Sequence, residues 1–142
     1  MNKVKNMFYC LSVLIILTIL FNSCSTEPNT GISGRYNYTG YNEEGTIIVT
    51  GYIDINFQDS TSVTGTWELN AVGNPQGIGP QVGTGTLEGG MENGILYINL
   101  NPEWVDNNVF LHGVIDGNIY SGQWIYSGFP GVIAQGTFTA VK

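Results

Sequence analysis

Positive charge is scarce in this 142-residue chain, which sets four Lys and Arg against eleven Asp and Glu. Lys3 and Lys5 stand at the start, so past Cys24 only Arg35 and Lys142 face all eleven acids, a balance of −9. Without Lys/Arg clusters the chain has no electrostatic footprint for nucleic acid or for anionic headgroups. Histidine occurs once, His112, and cysteine twice, Cys10 and Cys24. That leaves no independent support for a Ser-His-Asp or Cys-His arrangement and no zinc ligand set. No G-x-S-x-G elbow occurs. Asp106-Asn107-Asn108 is oxygen-rich but lacks the spaced acids and closing Glu of a calcium loop. Glu43, Glu44, Glu68, Glu88, Glu92 and Glu103 are scattered, and nothing in the sequence brings two of them within the ~5–9 Å of a glycosidase pair. Catalysis is not expected, and neither is a metal or a cofactor. The charged fraction is also low, 11% against 42% hydrophobic residues, which excludes an acidic disordered chain.

Only one long apolar run is present. Met7 to Phe21 contains fifteen residues without a charge, short of the ~20 that a helix needs to cross a bilayer. A basic start, a short apolar stretch and a small residue before a cut are the parts of an export signal. Ser23-Cys24 closes the segment. Phe21-Asn22-Ser23-Cys24 resembles the lipobox of bacterial lipoproteins, in which the Cys receives a thioether-linked diacylglycerol and becomes the acylated N-terminus. The alternatives are an ordinary secretory signal cut elsewhere and an uncleaved anchor. Cysteine usage favours the lipoprotein. With Cys10 inside the removed segment, Cys24 has no disulfide partner in an oxidising compartment, and acylation accounts for it. Two or three acyl chains hold a protein on a membrane where one binds only marginally. The resemblance therefore implies a signal peptide over 1–23, a lipidated tether over 24–33 and a folded domain over 34–142. Residues 25–33 (STEPNTGIS) are polar, with Pro28 and Gly31 and no periodicity, as a linker is. Ser25 after Cys24 implies, by the same resemblance, outer-membrane delivery in the cell envelope.

The domain reads as strands throughout. Over Thr46–Phe57, Ile47, Val49, Gly51, Ile53, Ile55 and Phe57 share one face and Thr46, Thr50, Tyr52, Asp54 and Asn56 the other, with Ile48 out of phase. That is the period of a half-buried strand. Gln58-Asp59-Ser60, Glu92-Asn93-Gly94 and Asp116-Gly117-Asn118 are turn signals, the Asn-Gly and Asp-Gly pairs marking hairpins. The runs predict about eight strands: 34–41, 45–57, 62–69, 82–90, 94–100, 108–115, 118–126 and 131–141. A local unit recurs in Thr64-Gly65-Thr66-Trp67, Thr84-Gly85-Thr86-Leu87, Ser121-Gly122-Gln123-Trp124 and Gln135-Gly136-Thr137-Phe138. Its Gly and its large apolar residue share one strand face, and an inward Gly lets a strand coil sharply. An all-β antiparallel meander of this kind closes most simply into an up-and-down barrel, with a two-sheet sandwich as the alternative.

Gly34-Arg35-Tyr36 resembles the G-x-W opening of lipocalin-like and avidin-like barrels, with Tyr for Trp, and Val63–Trp67 and Tyr120–Trp124 resemble avidin-like strand openings. The resemblance implies a small-ligand binding barrel. The late Arg that clasps the first-strand Trp in lipocalins is absent, Arg35 being the only Arg, and biotin binding is not implied.

Aromatic residues are plentiful: three Trp, eight Tyr and six Phe. Tyr36, Tyr38, Trp67, Tyr120, Trp124, Tyr126 and Phe138 share the phase of the inward Gly residues, so they either fill a core or wall a cavity. The twelve-residue connection 70–81 (NAVGNPQGIGPQ) is long for a hairpin. A second connection, 101–108, carries Trp104 between Pro102 and Asp106. In an eight-strand meander both loops lie at one end, where they form a mouth. The ligand-binding candidates are Tyr36, Trp67, Trp104, Tyr120, Trp124 and Phe138, for a small apolar or aromatic ligand. The competing expectation is a structural or assembly lipoprotein that holds an envelope protein through its outer face, Tyr52 included. His112 shares phase with Phe110 and Val114 and is expected to point outward.

Overall fold

A computed structural model describes residues 31–59 and 61–142; Cys24 and the expected signal and lipidation site lie outside them. Eight strands follow one another: β1 (Gly34–Tyr41), β2 (Ile47–Phe57), β3 (Ser62–Ala71), β4 (Gly83–Glu92), β5 (Ile95–Asn99), β6 (Asn108–Asp116), β7 (Ile119–Gly128) and β8 (Gly131–Val141). Each pairs antiparallel with the next, and β8 pairs with β1 to close the barrel. The sandwich alternative is thereby replaced: closure leaves neither β1 nor β8 as a free edge. The architecture is consistent with a lipocalin-like fold.

The alternation read from β2 has a structural cause for its one irregular residue. Gly40 stands opposite Val49 and Tyr41 opposite Ile47, so Ile48 is the extra residue of a β-bulge. Ile48 and Val49 are both buried, because a bulge breaks the one-in, one-out rule at the inserted position. A second bulge lies between Tyr126↔Ala134 and Ser127↔Val132, where Ile133 is the extra residue.

The interior is packed with side chains from all eight strands and is dominated by rings. Tyr36, Tyr38, Trp67, Tyr120, Trp124 and Phe138 are all buried, with Leu69, Leu87, Leu96, Ile98 and Leu111 between them. Phe138 stacks on Tyr38 with centroids 5.6 Å apart and meets Tyr120 edge-on at 4.7 Å, arrangements that favour the ring quadrupoles. The ladder and this core close entirely within the described residues.

The two ends of the barrel differ. The lower end gathers residues 31–33, the β2–β3, β4–β5 and β6–β7 turns and Lys142. Residues 31–33 are tied down there: Lys142 Nζ donates to the carbonyls of Gly31 (2.9 Å) and Ser33 (2.6 Å), and the Tyr36 hydroxyl donates to Ile32 O at 2.6 Å. The upper end carries the long β3–β4 and β5–β6 loops with the β1–β2 and β7–β8 turns.

Candidate functional site

Two tryptophans close two gaps in the barrel wall. Trp67 on β3 stands opposite Gly85 on β4. A Cβ on Gly85 would lie 2.8 Å from three atoms of the indole, so only glycine lets the ring lie across β4. β4 pairs with β5 from Glu88↔Asn99 downward, and 83–87 have no partner on β5. Where the ladder stops, the Trp67 indole N–H takes over. It donates to Leu100 O at 2.7 Å and to Thr86 O at 3.1 Å, joining the two sides of the seam.

The same device recurs four strands later. Trp124 on β7 stands opposite Gly136 on β8, where a Cβ would lie 2.6 Å from the indole nitrogen. β8 pairs with β1 only up to Thr137↔Tyr41, and the Trp124 indole N–H donates to Tyr41 O at 2.7 Å. Strands β3, β4 and β5 thus correspond to β7, β8 and β1, an internal two-fold about the barrel axis. The recurring Gly-x-Trp unit is its sequence trace. Gly65 and Gly122, two residues before each Trp, lie close against the backbone of the neighbouring strand, as tight coiling requires.

Each seam opens at the upper end as a cleft. The first, about 260 Å³, is lined by Trp67 on β3, Thr84, Gly85 and Thr86 on β4, Leu100–Trp104 after β5, and Pro80 and Val82 before β4. The two long loops therefore meet at one mouth. Asn101 holds this arrangement: its side chain donates to Pro80 O (3.3 Å) and accepts from Val109 N (3.2 Å), and its carbonyl accepts from Trp104 N (3.1 Å). Asn108 Nδ2 donates to Trp104 O at 3.2 Å. With its backbone fixed at both groups, Trp104 is 54% exposed. A large ring held in water has a use or a cost.

The second cleft, about 600 Å³, lies at the β8–β1 seam, with Trp124, Ile48 and Ile133 among its walls and Glu43, Glu44 and Gln135 at its rim. Gln135 Nε2 donates to Glu43 Oε1 at 3.0 Å.

Of the six ligand-binding candidates, Trp67 and Trp104 come together at the first cleft and Trp124 lines the second. Tyr36, Tyr120 and Phe138 are placed in the core and line neither. The Tyr120 hydroxyl donates within a carbonyl pair, Leu96 O at 3.0 Å and Leu111 O at 3.2 Å, and burial pushes its pKa well up. Burial also raises the Tyr38 pKa strongly. Tyr52, the outer-face candidate, donates to Glu68 at 2.7 Å and lies under the Arg35 guanidinium, itself paired with Asp54. His112 sits on the outer face between Tyr97 and Phe110, and desolvation there lowers its pKa. Asn101 and Ile133 have no signal in the sequence pattern, and Ile48 shows only as an exception to the alternation. A twelve-residue loop poor in charge was the only hint of what Asn101 pins.

Among the described residues no three His, Cys, Asp or Glu stand close enough to hold a metal ion. No protein family model, curated protein or solved structure matches the chain.

Proposed function

We propose that this is a lipid-anchored, non-catalytic binding protein of the bacterial cell envelope, taking a small flat apolar or aromatic ligand in the β4–β5 cleft. The observation that carries the binding reading is Trp104. Its ring is exposed, its backbone is fixed by Asn101 and Asn108, and it faces a cleft based on the edge of a second indole. Apolar walls with a few polar groups are what a small-ligand site needs. Here Trp67, Trp104, Leu100 and Pro80 supply the walls, and Thr84, Thr86 and Asn101 the polar groups. A volume of about 260 Å³ suits one or two fused rings.

The anchoring reading rests on Lys3, Lys5, the Met7–Phe21 run and Cys24 in the lipobox-like setting. It gives the clefts a direction. The chain enters the barrel at the lower end, so an anchor at Cys24 points the cleft mouths away from the membrane, outer-membrane delivery following from Ser25. The membrane is then a partner through the lipid alone, and nucleic acid is not a partner.

A neutral fluorescent probe, N-phenyl-1-naphthylamine, tests the binding reading on the chain from Ser25 onward. Enhanced fluorescence that saturates, and that falls at least about tenfold in affinity in Trp104→Ala, is the expected result. Equal binding by wild type and Trp104→Ala, or none by wild type, removes the cleft as a site.

One observation favours the second reading, an assembly protein that holds an envelope partner. Val105 and Phe129 are almost fully exposed at the upper end, and exposed apolar groups at one end mark contact surfaces. Recovery of a stoichiometric protein partner after mild detergent extraction, lost in Phe129→Ser, would favour it.

A further inference from the structure

The barrel ladder contains two bulges among its described residues, and both serve one place. Ile48 is the inserted residue of β2 and Ile133 that of β8, and both line the β8–β1 cleft. Bulges at barrel rims re-aim side chains and are kept as built features. Two of them bring branched apolar side chains to one cleft, from β8 and β2 on either side of β1, and Trp124 lines the same cleft. The rim is of a different character. Glu43 and Glu44 come from the β1–β2 turn and Gln135 from β8. Among the described residues Glu43 has only the amide of Gln135 as a donor partner. The described cations, Arg35 and Lys142, stand at the other end of the barrel, one paired with Asp54 and the other donating to Gly31 and Ser33. Among the described residues no cation therefore balances the rim carboxylates.

We infer that the β8–β1 cleft is a second binding site, specific for a small cation with an apolar body, an aryl- or alkylammonium. The body lies against Ile48, Ile133 and Trp124, and the ammonium group meets the Glu43 and Glu44 carboxylates at the rim. Apolar contact alone would accept neutral and anionic relatives equally; two adjacent carboxylates select the cation, since like charge is repelled where opposite charge is held. The two clefts differ in chemistry, because the turn after β1 places two acids, Glu43 and Glu44, at this one where the segment after β5 places one, Glu103, at the other. This site stands whether or not the first cleft binds.

The three indole N–H resonances of the chain from Ser25 onward separate the possibilities in a titration with 1-naphthylmethylammonium. Trp124 reports the β8–β1 cleft, Trp67 and Trp104 the β4–β5 cleft. The expected result is saturable movement of the Trp124 signal, with 1-naphthylmethanol at least about threefold weaker and 3-(1-naphthyl)propanoate weaker still. Glu43→Gln/Glu44→Gln, both exposed and harmless to the core, should weaken the cation by about three- to tenfold and leave the alcohol unchanged. Ile133→Ser should weaken both. Movement confined to Trp67 and Trp104, equal binding of cation and alcohol, or an unchanged affinity in the double Gln variant would each overturn the inference. So would the absence of any shift up to millimolar probe.

Discussion

At the scale of the residue, stability and site are joined in the two latching tryptophans. Trp67 is a core ring, a base for the first cleft and the hydrogen bond that joins its two sides. Trp67→Ala should cost ~3–5 kcal/mol, as large-to-small core changes do, while Trp67→Phe should cost ~1–3 kcal/mol by leaving two carbonyls without their donor. Gly85→Ala places a methyl 2.8 Å from the indole and should cost ~1–3 kcal/mol by overpacking. Urea melts of the three variants check the ranking, and Gly85→Ala as stable as wild type would mean that the ring does not lie across β4. His112 carries a pH signature. Desolvation lowers its folded pKa below the ordinary 6.5, so the unfolded chain binds the proton more readily. The His112 contribution is complete above about pH 6.5, declines as pH falls below it, and levels off once pH passes below the lowered folded value. The melting temperature should therefore drop between pH 7.5 and 5.5, and His112→Gln should flatten that drop.

At the scale of the element, the strand runs were legible because period-two alternation and Asn-Gly or Asp-Gly turns are local signals. The expected 34–41 and 131–141 coincide with β1 and β8, and the other six strands differ from their expected limits by one or two residues at one or both ends. The seams were not legible. They depend on where pairing stops, which is set by how far β5 and β1 extend against β4 and β8, a relation between distant segments. Ile48 was visible only as an exception to the alternation, and Ile133 not at all, since a bulge shows itself only against its partner strand. The recurring Gly-x-Trp unit was visible, but its use was not: the glycine that seats each indole, Gly85 or Gly136, lies on the next strand. Deletion of Ile133 tests the bulge directly. Without it, Tyr126↔Ala134 and Ser127↔Val132 become consecutive regular pairs, so the strand circular dichroism and the two-state melt should persist. The affinity of the β8–β1 cleft for arylammonium should fall. A chain that fails to fold would show the bulge to be structural.

At the scale of the molecule, the barrel has a direction. Its lower end holds both described cations and the point where the chain enters; its upper end holds both clefts and the acids Glu43, Glu44, Glu103 and Asp106. The interior, lined by rings, is filled, and the proposed sites lie where the wall opens. Inward phase therefore gave the right residues for the core, and the two long loops stand at one end and border one cleft. Phase alone could not tell Tyr36, Tyr120 and Phe138 from Trp67, equally buried but lining the β4–β5 cleft, because that difference rests on where the β4–β5 ladder ends. The most direct test of a cleft-binding barrel is a crystal structure of the chain from Ser25 onward with 2-naphthol. The account predicts the ligand in the β4–β5 cleft, its ring against Trp104 and its hydroxyl near Thr84, Thr86 or Asn101, with the packed interior unchanged. A ligand found inside the barrel among Tyr36, Tyr120 and Phe138, their rings displaced to admit it, would contradict the account.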